Sequence, residues 1–73
     1  MTNSQEMNSL VIDILGTGAP LFILEREVKE YYKEKGVKFD GFPINTEHAD
    51  FDMKEEVLYV YDENGNKINS YKF

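Results

Sequence analysis

The chain has no cysteine and no tryptophan, only two prolines, and a single histidine among its 73 residues. Without cysteine there is no disulfide framework and no thiolate metal centre. No apolar run approaches the 18 or so residues of a membrane span, so no spanning helix is expected. Basic residues are scarce, with eight Lys and Arg against 14 Asp and Glu, for a net charge of −6. Nucleic-acid backbones are held by clustered basic faces, so direct binding to nucleic acid is not expected. The opening segment, MTNSQEMNS, is polar and lacks basic residues. It fits neither a secretory nor a mitochondrial leader, and a cytoplasmic protein is expected.

What is present fits one small domain. Residues 1–8 lack apolar periodicity and are expected to form a flexible N-terminus, with residues 9–73 making a single α+β domain. A core of this size contributes roughly 3–5 kcal/mol of net stability, which makes a partner or a second copy a useful source of buried surface.

The segment EREVKEYYKEKG, residues 25–36, carries the firmest pattern. Val28, Tyr31, Tyr32 and the stem of Lys35 recur at spacings of three and four, the period of a helix with one apolar side. Gly36 can take the left-handed conformation that ends a helix, with Val37 as the apolar residue beyond it. Residues 10–15, LVIDIL, alternate Leu10, Ile12 and Ile14 with Val11 and Asp13, which predicts a half-buried strand. The glycines and proline of Gly16-Thr17-Gly18-Ala19-Pro20 then predict a loop. Residues 21–24, LFIL, suit either a strand or a first helical turn behind Pro20. A helix would leave Phe22 and Ile23 off the apolar side, which favours the strand.

Residues 37–42 read as a short strand or an extended connection into Pro43. Residues 44–56 read as an acidic loop with a helical turn near 52–56. Residues 57–61, VLYVY, are β-branched and aromatic and predict a strand. Asn64-Gly65 then signals a hairpin returning through residues 68–73. Two registers remain open. A two-residue turn sets Asp62 opposite Lys67, and a three-residue loop with Gly65 as the bulge sets Glu56 opposite Lys72. The expected architecture is a short antiparallel sheet, from N-terminal strands and the C-terminal hairpin, packed on one helix at 25–35.

Each chemical motif competes with a simpler reading. His48, Asp50 and Asp52 alternate as HADFD, but three ligands in an acidic loop lack the support that a metal centre needs, and no metal is expected. Asp62 to Asn66 resembles a calcium loop, yet its glycine falls at the fourth position rather than the sixth, and the hairpin accounts for the same residues. Gly16-Thr17-Gly18 lacks the third glycine of a dinucleotide loop and the lysine of a phosphate loop. With one histidine and Ser4, Ser9 and Ser70 as the only serines, no nucleophile–base set can be assembled. Adjacent Glu55 and Glu56 would point apart on a strand. Neither an enzyme nor a cofactor site is expected.

Two features remain. Residues 40–63 carry a net −7, with Lys54 as the one base. Ten aromatics include Tyr59 and Tyr61 in the strand expected at 57–61, and tyrosine is enriched in binding surfaces. The expected function is a non-enzymatic protein-binding module that docks on a basic surface of another protein, through Asp50, Asp52, Glu55, Glu56, Tyr59 and Tyr61. Spaced carboxylates can imitate a row of phosphates, so a nucleic-acid-binding surface is the natural target. By size and charge alone, the chain is analogous to small inhibitors and adaptors of phages and mobile elements. The alternative is a self-associating structural or regulatory domain, a homodimer formed through a sheet edge or an apolar face.

Overall fold

A computed structural model describes residues 3–73. Two helices, α1 (Ser4–Thr17) and α2 (Leu21–Glu34), precede three strands, β1 (His48–Asp52), β2 (Val57–Tyr61) and β3 (Lys67–Lys72). The strands form one antiparallel sheet in the order β1-β2-β3. The α+β class and the C-terminal hairpin agree with expectation. The single helix and the N-terminal strands do not.

The expected strand at 10–15 lies inside α1. Asn3 caps this helix, its side-chain oxygen accepting the Glu6 N–H at 2.8 Å and its carbonyl accepting the Met7 N–H at 3.0 Å. Gly18 closes the other end in the left-handed region at φ 71. Between these stops the buried residues are Met7, Val11 and Ile14, spaced by four and three. The alternation of Leu10, Ile12 and Ile14 is incidental, and Ile12 is exposed. Of the expected flexible terminus, residues 1 and 2 lie outside the described residues. Ser4 to Asn8 are helical, and Met7 belongs to the core.

The second correction is Leu21–Leu24, which is the first turn of α2 and not a strand. Leu24, Val28 and Tyr31 form one buried stripe at spacings of four and three. Adding Leu24 to that stripe outweighs leaving Phe22 exposed, and Phe22 is indeed 65% accessible. Pro20 precedes the helix without costing a hydrogen bond, since first-turn N–H groups have no helical acceptor. At the far end Val37 N–H reaches the Tyr32 carbonyl at 2.9 Å and Gly36 N–H the Lys33 carbonyl at 3.1 Å. With Gly36 at φ 72, this is the expected glycine stop.

No ladder forms over residues 37–42, so the extended connection holds and the strand alternative does not. The segment is fixed by side chains instead. Phe42 N–H donates to Glu25 Oε2 at 2.7 Å. Phe39 packs edge-on against Phe42 and Tyr71, with ring centroids 5.9 and 5.3 Å apart. The acidic stretch expected to be a loop with a helical turn near 52–56 contains β1, which pairs Asp50 with Tyr59 and Asp52 with Val57. Beyond β1, residues 53–56 form a turn in which Glu56 takes φ 58.

The hairpin uses both registers, in different parts. Near the turn, Asp62 N–H donates to the Asn66 carbonyl at 3.0 Å and Gly65 N–H to the Asp62 carbonyl at 3.1 Å, a three-residue loop with Gly65 at φ 81. Asp62 Oδ1 also accepts the N–H groups of Asn64 and Asn66, each at 2.9 Å. An irregularity between Val60 and Tyr61 then shifts the ladder, pairing Tyr61 with Lys67 but Val60 with Asn69 and Val57 with Lys72. Neither charge pair offered by the sequence forms, because Asp62 faces Asn66 and Val57 faces Lys72.

Both helices lie on one side of the sheet. Met7, Val11, Ile14, Leu24, Val28, Tyr31, Leu58 and Phe73 make the core, flanked by Phe51 and Tyr71. Tyr31 meets Phe73 edge-on at 5.3 Å. Val60 is fully buried beside them. The loop geometry predicts that Gly65→Val, which forces a β-branched residue to positive φ, destabilises the domain by about 1–3 kcal/mol in chemical denaturation. Loss of the α1 cap in Asn3→Ala should cost about 1 kcal/mol in the same assay.

Candidate interaction surface

β2 alternates between buried and half-buried positions, and Leu58 and Val60 point into the core. Val57, Tyr59 and Tyr61 must therefore face away from the helices. Directly paired residues share a face, so the register fixes the outer surface as three rows. His48, Tyr61 and Lys67 make the first, Asp50, Tyr59 and Ser70 the second, and Asp52, Val57 and Lys72 the third. Read along the strands, the surface has an acidic column on β1, a tyrosine-bearing column on β2 and a lysine column on β3.

Four of the six residues nominated from sequence meet here: Asp50, Asp52, Tyr59 and Tyr61. Glu55 is exposed in the β1–β2 turn. Glu56 is turned to α1, where its Oε1 accepts the Asn8 side-chain N–H at 2.8 Å. A contact between the turn and a helix gives Glu56 a structural role. Lys67, Ser70 and Lys72 were not nominated. The period-two pattern of VLYVY already implied an outward column, but the flanking columns follow only from the pairing register.

The surface already accommodates a cation. Lys67 Nζ sits over the Tyr59 ring, 3.9 Å from its centroid, a diagonal cross-strand contact. Asp50 Oδ1 accepts the Phe51 N–H at 2.9 Å, and Asp52 Oδ1 accepts those of Lys54 and Glu55 at 3.0 and 3.1 Å. Asp62, at the hairpin, is held below the usual aspartate range, chiefly by the backbone N–H of Asn66.

The β3 edge of the sheet is partly occupied by the chain itself. Phe73 N–H donates to the Glu56 carbonyl at 3.0 Å. The alternation of an antiparallel ladder then turns the backbone groups of Ser70 and Lys72 outward. Tyr32 OH donates to the Lys72 carbonyl at 2.8 Å, and Ser70 N–H donates to Asn69 Oδ1 at 2.8 Å. Burial raises the Tyr32 hydroxyl pKa, with Tyr31 and Tyr71 adding to the effect. The protonated donor that occupies the Lys72 carbonyl is thereby favoured.

The other chemical readings find little geometry. Among the described residues no three of His, Asp and Glu converge as a metal-binding group. Gly16, Thr17 and Gly18 lie at the C-terminal end of α1, whose dipole disfavours an anion. Thr17 Oγ1 is committed to the Ile14 carbonyl at 3.0 Å. A shallow groove of about 340 Å³ runs between Leu21, Phe22, Phe42, Pro43 and Ile44, open to solvent. Among the described residues no helix is long and apolar enough to cross a membrane.

Comparison with protein-family models, curated proteins and solved structures found no match for the chain.

The double role of Asp52, charge on the outer face and acceptor in the turn, can be separated. Asp52→Asn keeps an oxygen for the Lys54 and Glu55 N–H groups and should stay within about 0.5 kcal/mol of the natural chain. Asp52→Ala removes the acceptor and should cost about 1 kcal/mol in chemical denaturation.

Proposed function

We propose that this protein is a non-enzymatic protein-binding module whose working surface is the outer face of the sheet. One observation carries the reading. Both helices pack on the opposite face, which leaves the outer face open with two tyrosines beside two aspartates. Tyrosine gives rigid contact area at low entropic cost, and carboxylates at its border give orientation and a faster encounter. The partner is a protein with a basic surface, met by the acidic β1 column and by Glu55 in the turn that follows it. A target that normally holds nucleic acid suits spaced carboxylates, and an inhibitor or adaptor role, of the kind phages and mobile elements use, follows from such competition. At β3 the occupied groups weigh against pairing by strand addition, since a new strand would have to displace Tyr32 and Asn69 from their backbone partners.

The test is capture of a partner from lysate by the natural chain and by Asp50→Asn/Asp52→Asn. The double variant should remain folded, because Asn at each position keeps a side-chain oxygen to accept the backbone N–H groups. It should lose capture, with slower association, and raised salt should reproduce the loss. A folded double variant that captures the same partner equally well at the same salt would overturn the acidic surface.

A further inference from the structure

The outer face carries its own complement. Its carboxylates, Asp50 and Asp52, lie in the β1 column, and its lysines, Lys67 and Lys72, lie in the β3 column, with Val57, Tyr59 and Tyr61 between them. Although the chain carries −6 overall, these four charges cancel. The ion pairs Arg26–Glu27 and Lys38–Asp40 both lie outside the strands. Asp52 and Lys72 occupy one row but are separated by the whole width of β2, too far apart to pair within one sheet.

We infer that a second copy of this chain docks face to face on this surface, about a two-fold axis that runs along the strands over β2. Rotation about that axis exchanges the two flanking columns and keeps the rows. Asp52 of each copy then meets Lys72 of the other, Asp50 meets Ser70, and the tyrosine columns meet each other. Rotation about an axis across the strands would instead set β1 on β1, aspartate against aspartate, so charge selects one of the two arrangements. The selected one keeps strand directions aligned, as packed sheets do within about 30°. The contact is isologous and closes, so it yields a dimer and not a filament. It is also small. Three residues from each of three strands give fewer than the 20–30 residues a side of a standard interface, so the dimer is weak and reversible.

The consequence rests on the docking reading above. The dimer covers the same tyrosines and aspartates that would meet a basic partner, so partner and second copy compete, and the module is masked at high concentration.

The experiment is sedimentation equilibrium of the full chain across a wide concentration range, at low and high salt. The natural chain should show a monomer–dimer equilibrium weakened by salt. Lys72→Glu sets like charges together and should raise the dimer dissociation constant by at least about tenfold. Ser70→Lys gives each Asp50 a partner across the axis and should lower the constant. Ser70 is exposed in β3 and lies outside both turns, so this variant does not depend on tolerance of a disrupted turn. Lys38→Glu, on the connecting segment, should change nothing. A chain that stays monomeric at millimolar concentration overturns the inference, as does a dimer indifferent to both Lys72→Glu and Ser70→Lys. Either result leaves the docking proposal standing if Asp50→Asn/Asp52→Asn still loses its partner. Loss of that proposal with the charge-dependent dimer intact would leave self-association alone.

Discussion

Burial of Leu58 and Val60 on the inner side of β2 is the constraint on which the rest of this structure depends. In a strand, alternate side chains must face opposite ways. Once these two are fully buried, Val57, Tyr59 and Tyr61 are committed to the other side. The flanking strands then follow their pairing with β2, and the outer face inherits one column of carboxylates and one of lysines. A slip of one residue would exchange the core and outer sets of a flanking strand. The irregularity after Val60 confines the alternative register to the turn. Asn69, Tyr71 and Phe73 therefore keep to the core side, and Phe73 completes the core.

The remaining polar groups hold this arrangement at its seams. Asp62 organises the hairpin, Asp52 the β1–β2 turn, Glu25 the long connection and Glu56 the contact with α1. Much of the acidity that reads as one charged stretch is thus divided among separate tasks. Some carboxylates serve groups within the fold alone, while Asp50 and Asp52 accept backbone N–H groups and also lie on the outer face. A count of charge along the chain cannot see that division. The functional weight of the acidic stretch rests on Asp50 and Asp52, the two members that share a face with the tyrosines.

Tertiary context also explains the exposure of Phe22. Phe22 and Ile44 flank the shallow groove, with Ile44 wholly exposed. Phe22 is outside because the stripe Leu24, Val28 and Tyr31 sets the rotation of α2, and a helix has only one rotation to offer. Burying that stripe removes more apolar area from water than burying Phe22 alone would.

The strand at Val57–Tyr61, the glycine stop at Gly36 and the turn at Gly65 were legible in the sequence. Each depends on local chemistry: β-branched alternation, or a positive φ that glycine adopts without strain. The first helix was legible in principle, through Asn3 and Glu6 ahead of an apolar run and Gly18 behind it. Its β-branched middle also satisfies a strand period, and six residues are too few to tell the two apart. Leu21–Leu24 was decided by the helix stripe that it extends, and β1 by a partner strand, since HADFD has only Ala49 and Phe51 to bury. The six nominated surface residues were chosen by type and position along the chain. Which four share a face, and that two lysines complete it, was settled by register, a relation between distant segments that no local pattern carries.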